Sequence, residues 1–146
     1  GSEMCIRDSI YSDEDAGKRE ADYNEIRLAE IYYSLAECKF KANDVDGAAK
    51  LLNAVRKRNY PQDTWAEYLY KPEGTVTLTQ DELYDEWGRE FLAEGRRRTD
   101  LIRWGLYCTE EWWDKKPDAD SHWDIFPIPR DMMGADHTLK QNPGYN

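Results

Sequence analysis

The chain lacks any run near the roughly 20 consecutive apolar residues that a membrane-spanning helix needs, and its mean hydropathy is low, -0.95. It has only two histidines and three cysteines, Cys5, Cys38 and Cys108. None of them falls at the spacing of a zinc site, so no metal is expected. An odd cysteine count excludes a fully paired internal disulfide framework. Cys38 lies in a predicted helix and is expected to be a small buried residue. Bases are outnumbered, 20 Lys and Arg against 30 Asp and Glu, for a net charge of -10. That excludes the basic face a nucleic-acid binder needs and disfavours an anionic membrane surface. No basic start followed by an apolar run opens the chain, so any export signal is expected to lie on upstream sequence, and residues 1–9 are read as a foreign lead.

What the chain has is aromatic surface: six Trp and ten Tyr in 146 residues. That exceeds what a small helical core uses. A neutral ligand such as an oligosaccharide, or a protein partner, is compatible with the charge. The length fits one domain or part of one.

Residues 1–24 are polar and form an irregular entry. From Glu25 a helix is predicted, with Leu28, Ile31, Tyr32, Leu35 and Cys38 at three- and four-residue steps. Ala29, Tyr33, Ala36 and Phe40 form a neighbouring stripe. So wide an apolar face predicts packing on two sides. After Asn43-Asp44 a second helix carries Val45, Ala48, Leu52 and Val55 on one face, with Ala49 and Leu51 beside it. It closes on Arg56-Lys57-Arg58, cations suited to a helix C-terminus, and Pro61 forbids continuation. The pair resembles one tetratricopeptide hairpin, and a lone hairpin cannot bury both faces.

Residues 59–78 form a long aromatic connection with a short helix expected around Thr64–Leu69. Thr79 and Glu82 make a capping box for a helix through Leu83, Trp87 and Phe91 that stops at Gly95. A short helix follows over Thr99–Tyr107. The rest reads as extended or looped, with one helical turn near Arg130–Gly134. The fold class is therefore all-α: helical hairpins, long loops and an extended C-terminal strap, in one domain over 25–146.

Glu82, Glu86, Glu90 and Glu94 repeat every four residues, an acidic row if all are helical. Like charges so placed repel, and Arg89, Arg96, Arg97, Arg98 and Arg103 are the candidate compensators. A glycosidase needs two carboxylates facing each other across a sugar, not one wall of acids. Glu90, Glu94, Arg96, Asp100 and Arg103 are therefore read as a structural ion-pair network. Leu101, Trp104 and Gly105 read as a helix face docking through an indole. Trp112, Trp113 and Trp65 are the candidates for stacking on a sugar ring, although large loop aromatics more often cover helix flanks. Phe126-Pro127-Ile128-Pro129 is a rigid extended strap, expected to lay Phe126 and Ile128 on the helices. His122 and His137 read as ordinary loop residues.

The order of motifs adds a resemblance. Leu52-Asn53-Ala54-Val55-Arg56-Lys57-Arg58, then Glu90-Phe91-Leu92-Ala93-Glu94-Gly95-Arg96 through Asp100, Leu101, Arg103, Trp104 and Gly105, then Phe126 to Pro129 and Gln141-Asn142-Pro143-Gly144-Tyr145, resemble the C-terminal region of the RagB/SusD family. Gly134-Ala135-Asp136-His137-Thr138 departs from the Asn-Pro pair usual there. The resemblance implies a helical fold with tetratricopeptide-like hairpins and glycan binding without catalysis or cofactor. It also implies a lipid anchor on upstream sequence, an outward-facing place on the outer membrane, and a TonB-dependent transporter as partner. A helical-repeat adaptor for a protein partner is the alternative.

Overall fold

The computed structural model describes residues 25–145. The irregular entry expected over 1–24, Cys5 included, lies outside them. Two compact units make up the chain, one ending at Glu86 and the other beginning at Trp87.

In the first unit α1 (Leu28–Lys41) and α2 (Val45–Arg56) pack against each other. Asn43 takes the left-handed conformation, φ 62, that turns the chain between them. The Asp44 side chain caps α2 by accepting from Gly47 N at 2.9 Å, satisfying one of the donors a helix start leaves open. A Cβ on Gly47 would sit 2.2 Å from that carboxylate, so a larger residue there would make the Asp44 side chain shift. Glu37 and Lys41 pair at 2.7 Å across one turn of α1.

Packing selects one of the two stripes of α1. Ala29, Tyr33 and Ala36 are buried, as are Ala48, Ala49, Leu52 and Val55 of α2. Alanines on both helices let the backbones approach closely. The other stripe is open: Leu28 is 70% exposed, and Ile31, Leu35 and Cys38 are exposed too. The expectation of a buried Cys38 and of a helix covered on both sides is thus corrected. Periodicity marks both stripes as apolar, but among the described residues only the alanine-rich one has a partner.

The connection after α2 is not structureless. A 3-10 turn at Gln62–Thr64 runs into α3 (Trp65–Tyr68), and Leu69 and Tyr70 are buried beyond it. Lys71 N donates to Val76 O at 2.9 Å and Val76 N to Leu69 O at 3.1 Å. Gly74 fits under this loop because a Cβ would meet Leu69 O at 2.2 Å. Thr79 then caps α4 (Gln80–Glu90), its hydroxyl accepting from Glu82 N at 3.2 Å.

The four-glutamate row is shorter than its spacing predicts. α4 ends at Glu90, and Ala93 (φ 63) and Gly95 (φ 76) turn the chain through the left-handed region. Glu94 therefore sits in a turn, off the helix.

In the second unit α5 (Arg97–Arg103) is shorter than the helix expected over Thr99–Tyr107. Gly105, φ 74, ends it. Leu106 N donates to Leu101 O (2.8 Å) and Gly105 N to Ile102 O (2.9 Å), the paired bonds of a Schellman stop. Trp87, Phe91, Leu101 and Cys108 are buried. Trp104 meets Trp87 edge-on, ring centres 6.3 Å apart.

α6 (Arg130–Ala135) follows the strap. The strap is held by the chain's last residues. Ile128 N donates to Gln141 Oε1 and Gln141 Nε2 to Ile128 O, both at 2.8 Å. Asn142 Nδ2 donates to Phe126 O (2.8 Å) and the Tyr145 hydroxyl to Ile125 O (2.7 Å). The two motifs far apart in sequence are two sides of one clasp. Phe126 itself is 69% exposed, with the Arg98 guanidinium 4.0 Å from its ring centre. The strap is fixed mainly through its backbone, and Phe126 meets a helix only at its edge, through Arg98 of α5.

Candidate functional site

The buried polar centre of the first unit is built from residues whose role the periodicity hides. Arg56 and Glu86 are both buried and form an ion pair. Arg56 Nη1 also donates to the Tyr70 hydroxyl at 3.1 Å, and Nη2 to Tyr68 O at 2.7 Å. Its guanidinium lies 4.5 Å from the centre of the Tyr70 ring. The Tyr33 hydroxyl donates to Glu86 Oε1 and the Tyr70 hydroxyl to Glu82 Oε1, each at 2.9 Å. Burial, then the neighbouring Glu86 charge, pushes the Tyr33 and Tyr70 hydroxyls well above the usual phenol range.

Asn53, fully buried, spans the Tyr70 backbone with its amide. Arg56 is thus no mere helix-end cation, and Glu86 takes its partner from α2. The clue was present: Asn53 and Arg56 lie three apart, on the face that carries Ala49 and Leu52. Arg56 Nε is buried without a hydrogen-bond partner, but the hydroxyls, the Glu86 carboxylate and the Asn53 amide around it are engaged within the protein, so the centre is structural.

Of the five residues read as an ion-pair network, Asp100 and Arg103 meet directly, Nε to Oδ1 at 2.9 Å, with Asp100 2% exposed. Arg103 also lies over Trp104 (4.5 Å) and Trp87 (5.0 Å). Arg96 lies 5.5 Å from both the Trp87 and the Phe91 ring centres. Glu90 and Glu94 are half-buried, at the end of α4 and in the turn after it.

The three candidate tryptophans occupy different settings. Trp65, in the first unit, is half-buried. Its indole N–H donates to Tyr60 O at 2.9 Å, and the Lys57 ammonium sits 5.1 Å from its ring centre. Beside it Tyr60 and Tyr68 stack at 4.7 Å. Lys57 pairs with Glu73, and that bond holds the Glu73 carboxyl below the usual range.

Trp112 and Trp113 lie in the second unit on a tight hairpin turn. Trp112 N donates to Lys115 O at 2.9 Å and Lys115 N returns to Trp112 O at 3.2 Å. The Lys115 ammonium lies 5.3 Å from the Trp112 ring centre. Trp113, at the corner, is 97% exposed. Lys115 also pairs with Asp118 at 2.7 Å, and Lys116 with Glu111. The turn is anchored behind: Asp118 N donates to Cys108 O at 2.8 Å, and Cys108 Sγ lies 3.3 Å from Asp124 Oδ1. Burial, then that carboxylate, pushes the Cys108 thiol up to about 11.

His122 is more than a loop filler, which corrects its reading. Its ring packs on Trp123 (4.4 Å) and edge-on against Tyr145 (5.0 Å), and its Nδ1 contacts Asp120. Its backbone N–H, then its ring, holds the Asp120 carboxyl below the usual range. Gly144, φ 88, passes where a Cβ would meet the His122 side chain at 2.6 Å.

The profile of the SusD family matches residues 8–145. The chain belongs to the SusD family. It is 37% identical, in a 131-residue alignment that covers 82% of this chain, to the starch-binding protein SusD of Bacteroides thetaiotaomicron. It is 36% identical over 81 residues, 55% of its length, to a SusD-like protein of Formosa agariphila. A crystal structure from Bacteroides vulgatus, titled "Putative sugar binding protein", aligns with TM-score 0.69 and 30% identity over 90% of this chain. The match to that solved chain places this one in the same helical, tetratricopeptide-like SusD architecture. The chain spans 21% and 15% of the two curated relatives and 31% of the solved chain. The motifs that carry the SusD resemblance map onto the Asn53–Arg56 centre, the Asp100–Arg103 pair and the strap clasp, all of them structural devices. Among the described residues no helix is long and apolar enough to cross a membrane, and no cluster of His, Cys, Asp or Glu could hold a metal ion.

Proposed function

We propose that this chain belongs to a non-catalytic glycan-binding component of a bacterial outer-membrane nutrient-uptake system. It faces outward, held by a lipid anchor on upstream sequence, and passes oligosaccharides to a TonB-dependent transporter. The similarity to a starch-binding protein across 82% of the chain carries this reading. An acidic surface rich in exposed aromatics suits a neutral, hydroxyl-bearing ligand, and no cofactor is needed. The placement of the acids supports a binding role: Glu86 is buried in its pair with Arg56, and the α4 glutamates share one helix instead of facing across a sugar. The test is native electrophoresis in gels cast with soluble starch, laminarin or xyloglucan, alongside an assay for released reducing ends. Retardation in at least one gel without release is expected. No retardation in any gel overturns the reading, and release of reducing ends replaces it with a glycosidase.

One observation favours the adaptor reading: a groove of about 200 Å³ lined by Leu28, Ala29, Tyr32, Ala54, Val55 and Arg58 beside the open stripe of α1. Soluble protein that co-purifies with no outer-membrane transporter but with a stoichiometric helical partner would move the assignment there.

A further inference from the structure

We infer that the Trp112–Lys115 turn is a glycan-stacking platform, that Trp113 is its contact residue, and that its ligand is an uncharged polysaccharide. This rests on the glycan-binding reading above. Three observations carry it.

The first is availability. The Trp65 and Trp112 rings each lie beside a lysine ammonium, Lys57 at 5.1 Å and Lys115 at 5.3 Å, and the Trp65 N–H is already spent on Tyr60 O. Trp113 is 97% exposed. It has a free indole face for the C–H face of a pyranose ring, and a free N–H for a hydroxyl.

The second is rigidity. The exposed ring stands on a turn closed by two reciprocal backbone bonds, Trp112 N to Lys115 O and Lys115 N to Trp112 O. The bond from Asp118 N to Cys108 O anchors it to a buried residue. A ring displayed on a fixed backbone loses less freedom on binding than one on an open loop.

The third is charge. Both lysines of the turn are paired with acids, Lys115 with Asp118 and Lys116 with Glu111. Asp114, beside Trp113, is left as the turn's uncompensated charge on a chain of net charge -10. A uronate or sulfated polymer would bring like charge to that point. A neutral polymer brings only hydroxyls, which the Asp114 carboxylate can accept.

The experiment compares the whole chain with Trp113→Ala and Trp113→Phe, with Leu92→Ala as an exposed control. Neutral probes are soluble starch, laminarin and xyloglucan; anionic probes are alginate and carboxymethyl-cellulose. Affinity is read by gel retardation and indole fluorescence, and Tm checks that the fold is kept. The wild-type chain is expected to bind at least one neutral probe and neither anionic one. Trp113→Ala weakens that binding about tenfold, about 1.4 kcal/mol, at unchanged Tm, and Trp113→Phe restores part of it. Equal binding by wild type and Trp113→Ala overturns the platform and leaves the glycan-binding reading standing. Preference for alginate, lost with Trp113, keeps the platform and overturns the neutral ligand. Binding of no probe by the wild type overturns both.

Discussion

Asn53 holds Tyr70 at both ends of its peptide groups: Tyr70 N–H donates to Asn53 Oδ1, and Asn53 Nδ2 donates to Tyr70 O, each at 2.9 Å. One side chain of α2 thus stands in for a strand partner and pins the long connection to the hairpin. Asn53→Asp keeps the shape but turns a carboxylate oxygen toward the Tyr70 carbonyl. It is expected to cost about 2–4 kcal/mol, from the lost Nδ2 bond and from a buried carboxylate set against the Tyr70 carbonyl, which keeps its turn bonds from Glu73 N and Gly74 N. Urea unfolding measures it, and a variant within about 0.5 kcal/mol of wild type would show that the clamp is dispensable.

Glu86→Ala leaves the buried Arg56 guanidinium without its countercharge. Breaking a buried pair from one side costs about 3–5 kcal/mol. Replacing both partners, Arg56→Met with Glu86→Leu, is expected to recover much of that loss. A double variant as unstable as the single one would place the cost in packing and not in the orphaned charge.

The same centre sets an alkaline limit. Tyr33 and Tyr70 are pushed above the ordinary phenol value of 10.0 in the folded protein. The folded state therefore keeps protons that the unfolded state releases, and stability that is full below pH 10 falls as pH rises beyond it. Tyr33→Phe is expected to lower stability at pH 8 and to flatten the decline between pH 10 and 11.5. Equally steep declines in both proteins would count against Tyr33 as a source.

At the C-terminus, Gly144→Ala places a methyl at 2.6 Å from the His122 side chain at φ 88. About 1–3 kcal/mol of strain is expected, released by opening the clasp. Hydrogen exchange should quicken at Ile128 N, whose acceptor is Gln141, more than at amides of α2. Uniform quickening, or none, would show that the clasp is not a local unit.

Thiol chemistry separates the cysteines. Cys108 is buried with its thiol pushed up to about 11, whereas Cys38 is exposed. At pH 8 a disulfide reagent is expected to label Cys38 quickly and Cys108 only on unfolding. Cys108→Ser should leave the fast amplitude unchanged, and a reduced fast phase in that variant would place Cys108 within reach.

Much of the architecture was legible in the residues. The helical hairpin, the short helix after Pro61, the Thr79 cap and the turn of helix at Arg130 follow from local rules: periodicity, capping chemistry and proline. The aromatic candidates were legible as residue types. Their ranking was not, because exposure depends on what lies above a ring. Trp65 and Trp112 each acquire a lysine neighbour; Trp113 does not.

The sequence by itself determined the helical class, the helix starts at Val45, Gln80 and Arg130, the acidic surface and, through the order of its motifs, the family. Those depend on neighbours within a few residues or on pattern alone. Only the tertiary structure decided which stripe of α1 is core, that Arg56 answers Glu86, that α4 stops at Glu90, and that the last residues clasp the strap. Each of these rests on a partner thirteen or more positions away or on a backbone turning through the left-handed region. Periodicity registers apolar faces and charges, but it does not say which of them will meet.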